Sequence, residues 1–265
     1  MPFTLQQNAT SAAQDVNIGT TLTATLGSTP AVGDLLVAAI FTRSDTAPTN
    51  PSGWSTAITV TNATEVDYLV IAYKVAVVSE PTAVVFTGFA AGAERALGIF
   101  DWFSFNGFAA APLDKTASTG RTASATSLSS GTTATILQPD ELCIAAWGIR
   151  DGVTATSVDS SFTQQHSFID IHSTTNAYLI DAYRAVTATG AYATTASWTT
   201  ARTAMGAIAT FKSATAPAYR PMSDGMMPIM AMKHDLAVIP MSRRGRRLRR
   251  QWQDEMRLES IHVDR

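Results

Sequence analysis

Two passages of this chain recur in the same order later in the sequence, and that repetition limits the fold more than any other feature. "LLVAAIFTR" (35–43) returns as "LCIAAWGIR" (142–150), and "YLVIAYK" (68–74) returns as "YLIDAYR" (178–184). A third block, "ALGIFDWF" (96–103), matches "AMGAIATF" (204–211), so the three offsets are 107, 110 and 108 residues. A nearly constant offset over three blocks reads as one structural unit written twice. The spacing predicts two modules, 15–105 and 113–213, with an N-terminal arm (1–14) before them and a linker (106–112) between them.

Each unit reads as strands. "TTLTATL" alternates and puts Leu22, Ala24 and Leu26 on one face, while "DYLVIAYKVA" places Leu69, Ile71, Tyr73 and Val75 on one side of a longer strand. "TAVVFTGF" and "ALGIFDWF" follow at intervals of roughly ten residues, separated by turn clusters such as "TRSDTAPTNPSGW" and "AVVSEP". The Ala-rich stretches have Val, Ile, Thr and aromatic neighbours and no sustained helical period, which favours strand over helix. A unit of about 100 residues built this way fits an antiparallel β-sandwich of jelly-roll or immunoglobulin-like type. The expected fold is therefore all-β, two such modules in tandem, followed by an extended C-terminal arm that ends in a short helix.

Charge separates that body from its tail. Residues 1–242 hold 11 Lys and Arg against 17 Asp and Glu, whereas 243–265 hold eight Arg against four acids. An acidic body repels phosphate, so non-specific binding of nucleic acid falls to the tail alone. Only 15% of the chain is charged while 46% is hydrophobic, a composition that supplies a large core and leaves a mild surface suited to contact with protein. The single cysteine, Cys143, excludes an intramolecular disulfide and sits in the apolar run "LCIAAW", where burial is expected. "MPFTLQQNATSAAQ" lacks the basic and apolar regions of a signal peptide, and no apolar run reaches the length of a membrane span. Synthesis in a cytoplasm and no membrane partner are expected, and the Asn-X-Thr matches at Asn8 and Asn62 then carry little meaning.

There is no G-x-S-x-G elbow and no glycine-rich phosphate loop, and acids stand singly at strand ends: Asp34, Asp67, Asp101, Asp114, Asp140 and Asp181. No enzyme and no cofactor are expected. "HSFIDIH" is the strongest constellation, since strand parity would set His166, Asp170 and His172 on one face with Phe168 among them, and Ile169 and Ile171 toward the core. Two His and an Asp are competent zinc ligands, but they lack a fourth ligand and a visible supporting shell. The plainer account is a solvated strand face. Trp54, after the "NPSG" turn, and Trp198 are candidate glycan contacts. Tyr192 belongs with them, and the alternative for all three is a place capping the core.

After Lys212 the chain changes character. "SATAPAYRPMSDGMMPIMAMKHDLAVIPM" holds six of the nine methionines and four prolines, a composition that resists helix and favours an extended arm (214–242). Such an arm either packs back on its own modules or lies on a partner. "SRRGRRLRRQW" then places six arginines between Arg243 and Arg250, and Leu248, Trp252 and Met256 share one side of a short helix in the docking tail (243–265). The expected docking residues are Met226, Met227, Met230, Arg243, Arg244, Arg246, Arg247, Arg249, Arg250 and Trp252. Their guanidiniums would pair with carboxylates of another protein or another copy, or with nucleic-acid phosphates through 243–250.

"TPAVGDLLVAAIFTR", the turn Trp54, "YLVIAYKVA…SEPT" and the closing Ala-x-Gly strand together resemble β-sandwich modules of tailed-bacteriophage structural proteins of the head-decoration, spike and tail-fibre kinds. The resemblance covers 15–105 well and 113–213 more loosely, because the Glu-Pro-Thr turn (80–82) becomes Gly190-Ala191-Tyr192. It does not cover 214–265, and its motifs describe a scaffold, so no functional residue carries over. It implies a non-enzymatic virion protein, a head decoration or accessory component anchored by its C-terminal arm, with other copies of itself and another virion protein (capsid, portal-proximal or tail) as partners. The alternatives are a tail-fibre carbohydrate-binding module for host attachment, which would take a surface glycan, and a nucleic-acid-contacting structural protein acting through the arginine run.

Overall fold

The computed structural model describes residues 3–11, 19–62, 67–120, 123–172 and 175–214. The chain is all-β there, with no helix among the described residues. In chain order the strands are β1 (Phe3–Thr10), β2 (Leu22–Thr25), β3 (Leu35–Thr42), β4 (Ser55–Asn62), β5 (Asp67–Val75), β6 (Ala83–Phe86), β7 (Arg95–Ser104) and β8 (Phe108–Thr119). There follow β9 (Ala125–Ser129), β10 (Glu141–Arg150), β11 (Ser157–Val158), β12 (Thr163–His172), β13 (Thr175–Val186), β14 (Thr195–Arg202) and β15 (Ala204–Ser213). Every pairing between them is antiparallel.

Two five-stranded sheets dominate, in the orders β1-β7-β3-β5-β4 and β12-β13-β10-β15-β8. Read from its β8 edge, the second sheet repeats the order of the first. The N-terminal segment thus supplies an edge strand, and the segment around residue 110 already belongs to β8, the matching edge strand of the second sheet. Two small sheets, β2-β6 and β11-β14-β9, complete the set.

Burial explains why the sequence of β3 and β10 is apolar at almost every position. Leu35, Val37, Ala39 and Phe41 meet Leu142, Ile144 and Ala146 in one core between the two large sheets. Leu36, Ala38 and Ile40 point the other way, into a second core closed by Leu22 and Ala24 of β2 and by Phe86 of β6. Cys143, Ala145 and Trp147 do the same against Leu128 of β9 and Trp198 of β14. A strand covered on both faces cannot alternate, so hydrophobic periodicity survives only in outer strands such as β2, where Leu22 and Ala24 are buried and Thr23 and Thr25 exposed. The large sheets share the middle core, and all the described strands fall within one compact unit, Met1–Pro217.

The ladders correct one detail of the repeat. Leu35 pairs with Trp102, and its counterpart Leu142 pairs with Phe211, so Trp102 corresponds to Phe211 with an offset of 109 rather than 108. The difference matters because a slip of one residue exchanges the two faces of a strand. In the corrected register Ala96, Gly98, Phe100 and Trp102 match Met205, Ala207, Ala209 and Phe211, and both sets line the shared core.

Candidate functional site

Cross-sheet contacts show how the two halves meet. The Trp102 ring packs edge-on against Tyr183 at 4.7 Å between centroids, and the corresponding pair, Tyr73 and Phe211, does so at 5.3 Å. At the other end of the strands, Arg43 Nη1 lies 3.0 Å from Asp151 Oδ1 and Arg150 Nε lies 3.2 Å from Asp67 Oδ2. Arg43 and Arg150 are equivalent repeat positions, and each reaches into the other half. The two aromatic pairs are thus exchanged counterparts, as a local two-fold axis running along β3 and β10 requires, and the arginines occupy equivalent positions although their acid partners Asp151 and Asp67 do not. The body therefore has two poles: a start pole, where β3 and β10 begin, and an end pole closed by the arginine pairs.

The start pole holds two sets of buried acids. Asp34, just before β3, lies against Asp101 of β7, whose Oδ2 accepts a hydrogen bond from Gln7 Nε2 at 2.8 Å. Glu141, the counterpart of Asp34, lies against Asp114 and Thr210, with Lys212 nearby. Burial pushes the Asp34 carboxyl up to about 6, helped by the Asp101 charge, and pushes Glu141 up to about 7, with Thr210 opposing and Asp114 reinforcing the rise. Asp114 goes the other way: burial would raise it, but hydrogen bonds outweigh that, beginning with the one Leu137 N donates to its Oδ2 at 2.8 Å.

These shifts fix a pH dependence. Both raised acids keep a proton in the folded chain at pH values where the unfolded chain has lost it. Their stabilisation is therefore complete at or below about pH 4 and disappears as pH climbs through about 6 and 7, by something on the order of 2 kcal/mol each. Glu141→Gln should match the wild type in urea unfolding at pH 4 and exceed it at pH 8. Equal stability differences at the two pH values would contradict the assignment.

The sequence-derived candidates fare unevenly. His166 does not face solvent beside Asp170 and His172. A bulge between Gln164 and His166 turns its ring into the space between the large sheets, and Phe168 follows it into the shared core while Ile169 packs on the outer side. His166 Nδ1 lies 2.8 Å from Asp181 Oδ2, its Nε2 lies 3.0 Å from Asn8 Oδ1, and its backbone N–H donates to Asp181 Oδ1 at 2.9 Å. His166 and Phe168 thus share a face and Ile169 takes the other, as the parity predicts, but the His166 face is buried rather than solvated. The side chains of Asp170 and His172 lie outside the described residues, and among those described no cluster of three or more His, Cys, Asp or Glu could hold a metal.

Trp54 and Trp198 take their places in the cores: Trp54 stacks edge-on with Phe86, and Trp198 Nε1 donates to Ala125 O at 2.9 Å. Neither offers a ring face to a sugar, because both are buried. Tyr192 is covered on one side by the Arg184 guanidinium, 5.6 Å from its ring. Cys143 is buried, and that burial pushes its thiol up to about 12. The docking residues of the tail, Met226 to Trp252, lie outside the described residues.

Sequence reading missed a feature of the start pole. Val32, Val77, Val78, Phe103, Phe105 and Leu137 are exposed apolar side chains, with Phe105 at 82% and Val78 at 77%. Phe103 lies at the end of β7, and the others belong to the segments that lead into β3 and β10 or out of β5 and β7. Their hydrophobicity was readable, but lone apolar residues in turns carry no message until the fold gathers them at one end. Among the described residues the end pole has no comparable set, and its ion pairs are those of Arg43, Arg150, Asp67 and Asp151. Finally, no protein-family model, curated protein or solved structure matches this chain.

Proposed function

We propose that the protein is a non-enzymatic structural component of a tailed-phage particle, a head decoration, spike or accessory protein held in place by its C-terminal tail. In this reading 15–105 and 113–213 are two copies of one jelly-roll or immunoglobulin-like module, joined through their large sheets, and the virion is where the protein resides. The observation that carries the proposal is the polarity of the body. Among the described residues, exposed apolar side chains gather at the pole that Ala214 reaches, and the opposite pole carries the Arg43–Asp151 and Arg150–Asp67 ion pairs. The ionisable groups resolved inside the body support it as well, since His166, Asp181, Asp114 and Glu141 all contact neighbouring protein groups between or within sheets. Other copies of the chain or another virion protein would receive the tail.

The test compares full-length protein with protein lacking residues 215–265, which keeps every described strand. Each is added to particles assembled without it and sedimented, and the 260/280 nm absorbance of the free protein is recorded. Binding by the full-length chain alone supports the anchor. Equal binding by both overturns it. The charge of 243–250 supports a second reading, nucleic-acid contact, which would show as nucleic acid retained by the full-length chain and released as salt rises.

A further inference from the structure

We propose that the second half carries a binding site for the carboxylate side chain of an acidic peptide, built around Arg184, at the place that the first half fills with its own Glu80. The site belongs to the strand body and stands apart from the tail, so the two can fail separately.

The repeat exposes it. In the first half Lys74 Nζ, at the end of β5, lies 2.7 Å from Glu80 Oε1, and Val77 N–H donates to Glu80 Oε2 at 3.2 Å. Glu80 is buried, so this ion pair is part of the packing. The equivalent positions of the second half, at the offset of 110 residues, are Arg184, Thr187 and Gly190. Matching backbone bonds fix that alignment. Leu26 N donates to Thr82 O as Thr133 N does to Tyr192 O, and Trp54 N donates to Pro51 O as Phe162 N does to Asp159 O. The cation is thus kept in the second half, and its carboxylate is lost where glycine stands for glutamate.

What replaces the carboxylate holds the cation without neutralising it. The Arg184 guanidinium lies 5.6 Å from the Tyr192 ring and 6.0 Å from the Phe162 ring, where the first half has Thr82 and Trp54. Rings attract the charge but offer no oxygen to the guanidinium N–H groups. Among the described residues Arg184 forms no ion pair. Asp159 feels its field but accepts Ser161 N–H at 2.9 Å, and Glu141 lies against Asp114 and Thr210.

The place is also reachable. Thr187, Ala188 and Thr189 are exposed, and a Cβ added at Gly190 would meet the Tyr192 ring at 3.8 Å, an ordinary contact. A guanidinium takes a carboxylate through two parallel N–H bonds, which lysine cannot do. The first half seats a glutamate from the segment Ser-Glu-Pro-Thr in the same frame, so a peptide acid is the ligand this frame is shaped for.

Proton–nitrogen NMR of the Arg184 Nε–H group in the full-length protein reads the site. Acetyl-Ser-Glu-Pro-Thr-amide should shift that signal saturably, with a Kd on the order of 1 mM and about tenfold tighter than propionate. The same peptide with glutamine for glutamate should leave it unmoved, and so should either ligand leave the paired Lys74. Gly190→Glu supplies the carboxylate in cis, so it should abolish peptide binding and shift the Arg184 signal unaided, with no loss in melting temperature. An Arg184 signal that no carboxylate moves overturns the site. A glutamine peptide that binds equally, or undiminished binding by Gly190→Glu, overturns it as well. Glucuronate bound more tightly than the peptide would overturn the acidic peptide as ligand in favour of an acidic sugar. None of these outcomes touches particle binding by the tail.

Discussion

The triple variant Gly98→Ala/His166→Ile/Asp181→Ile is expected to be at least as stable as the wild type, although Asp181→Ile alone should cost about 3–5 kcal/mol. The ladders supply the reason. Ile58 pairs with Ile71 at a bulge in the first sheet, and His166 pairs with Asp181 at the matching bulge in the second. Each pair faces the opposite sheet, where Ala207 stands in one case and Gly98 in the other. A Cβ at Gly98 would press into Asp181 Oδ2 and lie 2.8 Å from His166 Nδ1, so the glycine and the polar pair require each other. Asp181 is fully buried, and replacing the His166 side chain alone leaves Asp181 Oδ2 without its ring partner, whereas replacing the whole set copies an apolar arrangement this protein already uses. Asn8 is exposed and can turn to water. Urea unfolding of the three single variants and the triple gives the coupling. A triple variant whose loss equals the summed single losses would sink the equivalence of the two sites.

The same comparison marks what the sequence could disclose. The repeat, the strands and the alternation of β2 were legible because local patterns encode them. So was the coarse class: an all-β chain of antiparallel sheets. The burial of His166 was not, because the strand was assumed to have a solvated face when packed side chains cover both sides of it there. Strand-end acids could have been sorted further, since Asp34 and Glu141 occupy matching positions ahead of the first repeated block and Asp181 replaces Ile71 in the second. Their partners could not: Asp101 and Asp114 come from edge and neighbour strands whose order only the topology reveals. Trp54 and Trp198 were legible as glycan contacts or as caps on the core, and the structure gives the caps, through small sheets that depend on pairings between distant segments.

A residue beside a two-fold axis meets its own counterpart, and here the counterparts are Phe41 and Gly148. The Phe41 ring occupies the space a side chain at Gly148 would need, and a Cβ there would run into it. Two phenylalanines would overfill that space, and two glycines would leave it empty. Gly148→Phe should therefore prevent folding, and Phe41→Gly should cost about 4–5 kcal/mol through the cavity and the loosened strand. The exchange variant, Phe41→Gly/Gly148→Phe, returns one ring to the same space from the facing sheet. Its thermal and urea unfolding should recover at least half of the Phe41→Gly loss. An exchange variant less stable than Phe41→Gly alone would mean that the two strands do not approach the axis equivalently, and the reading of the core as two facing copies of one sheet would have to be abandoned.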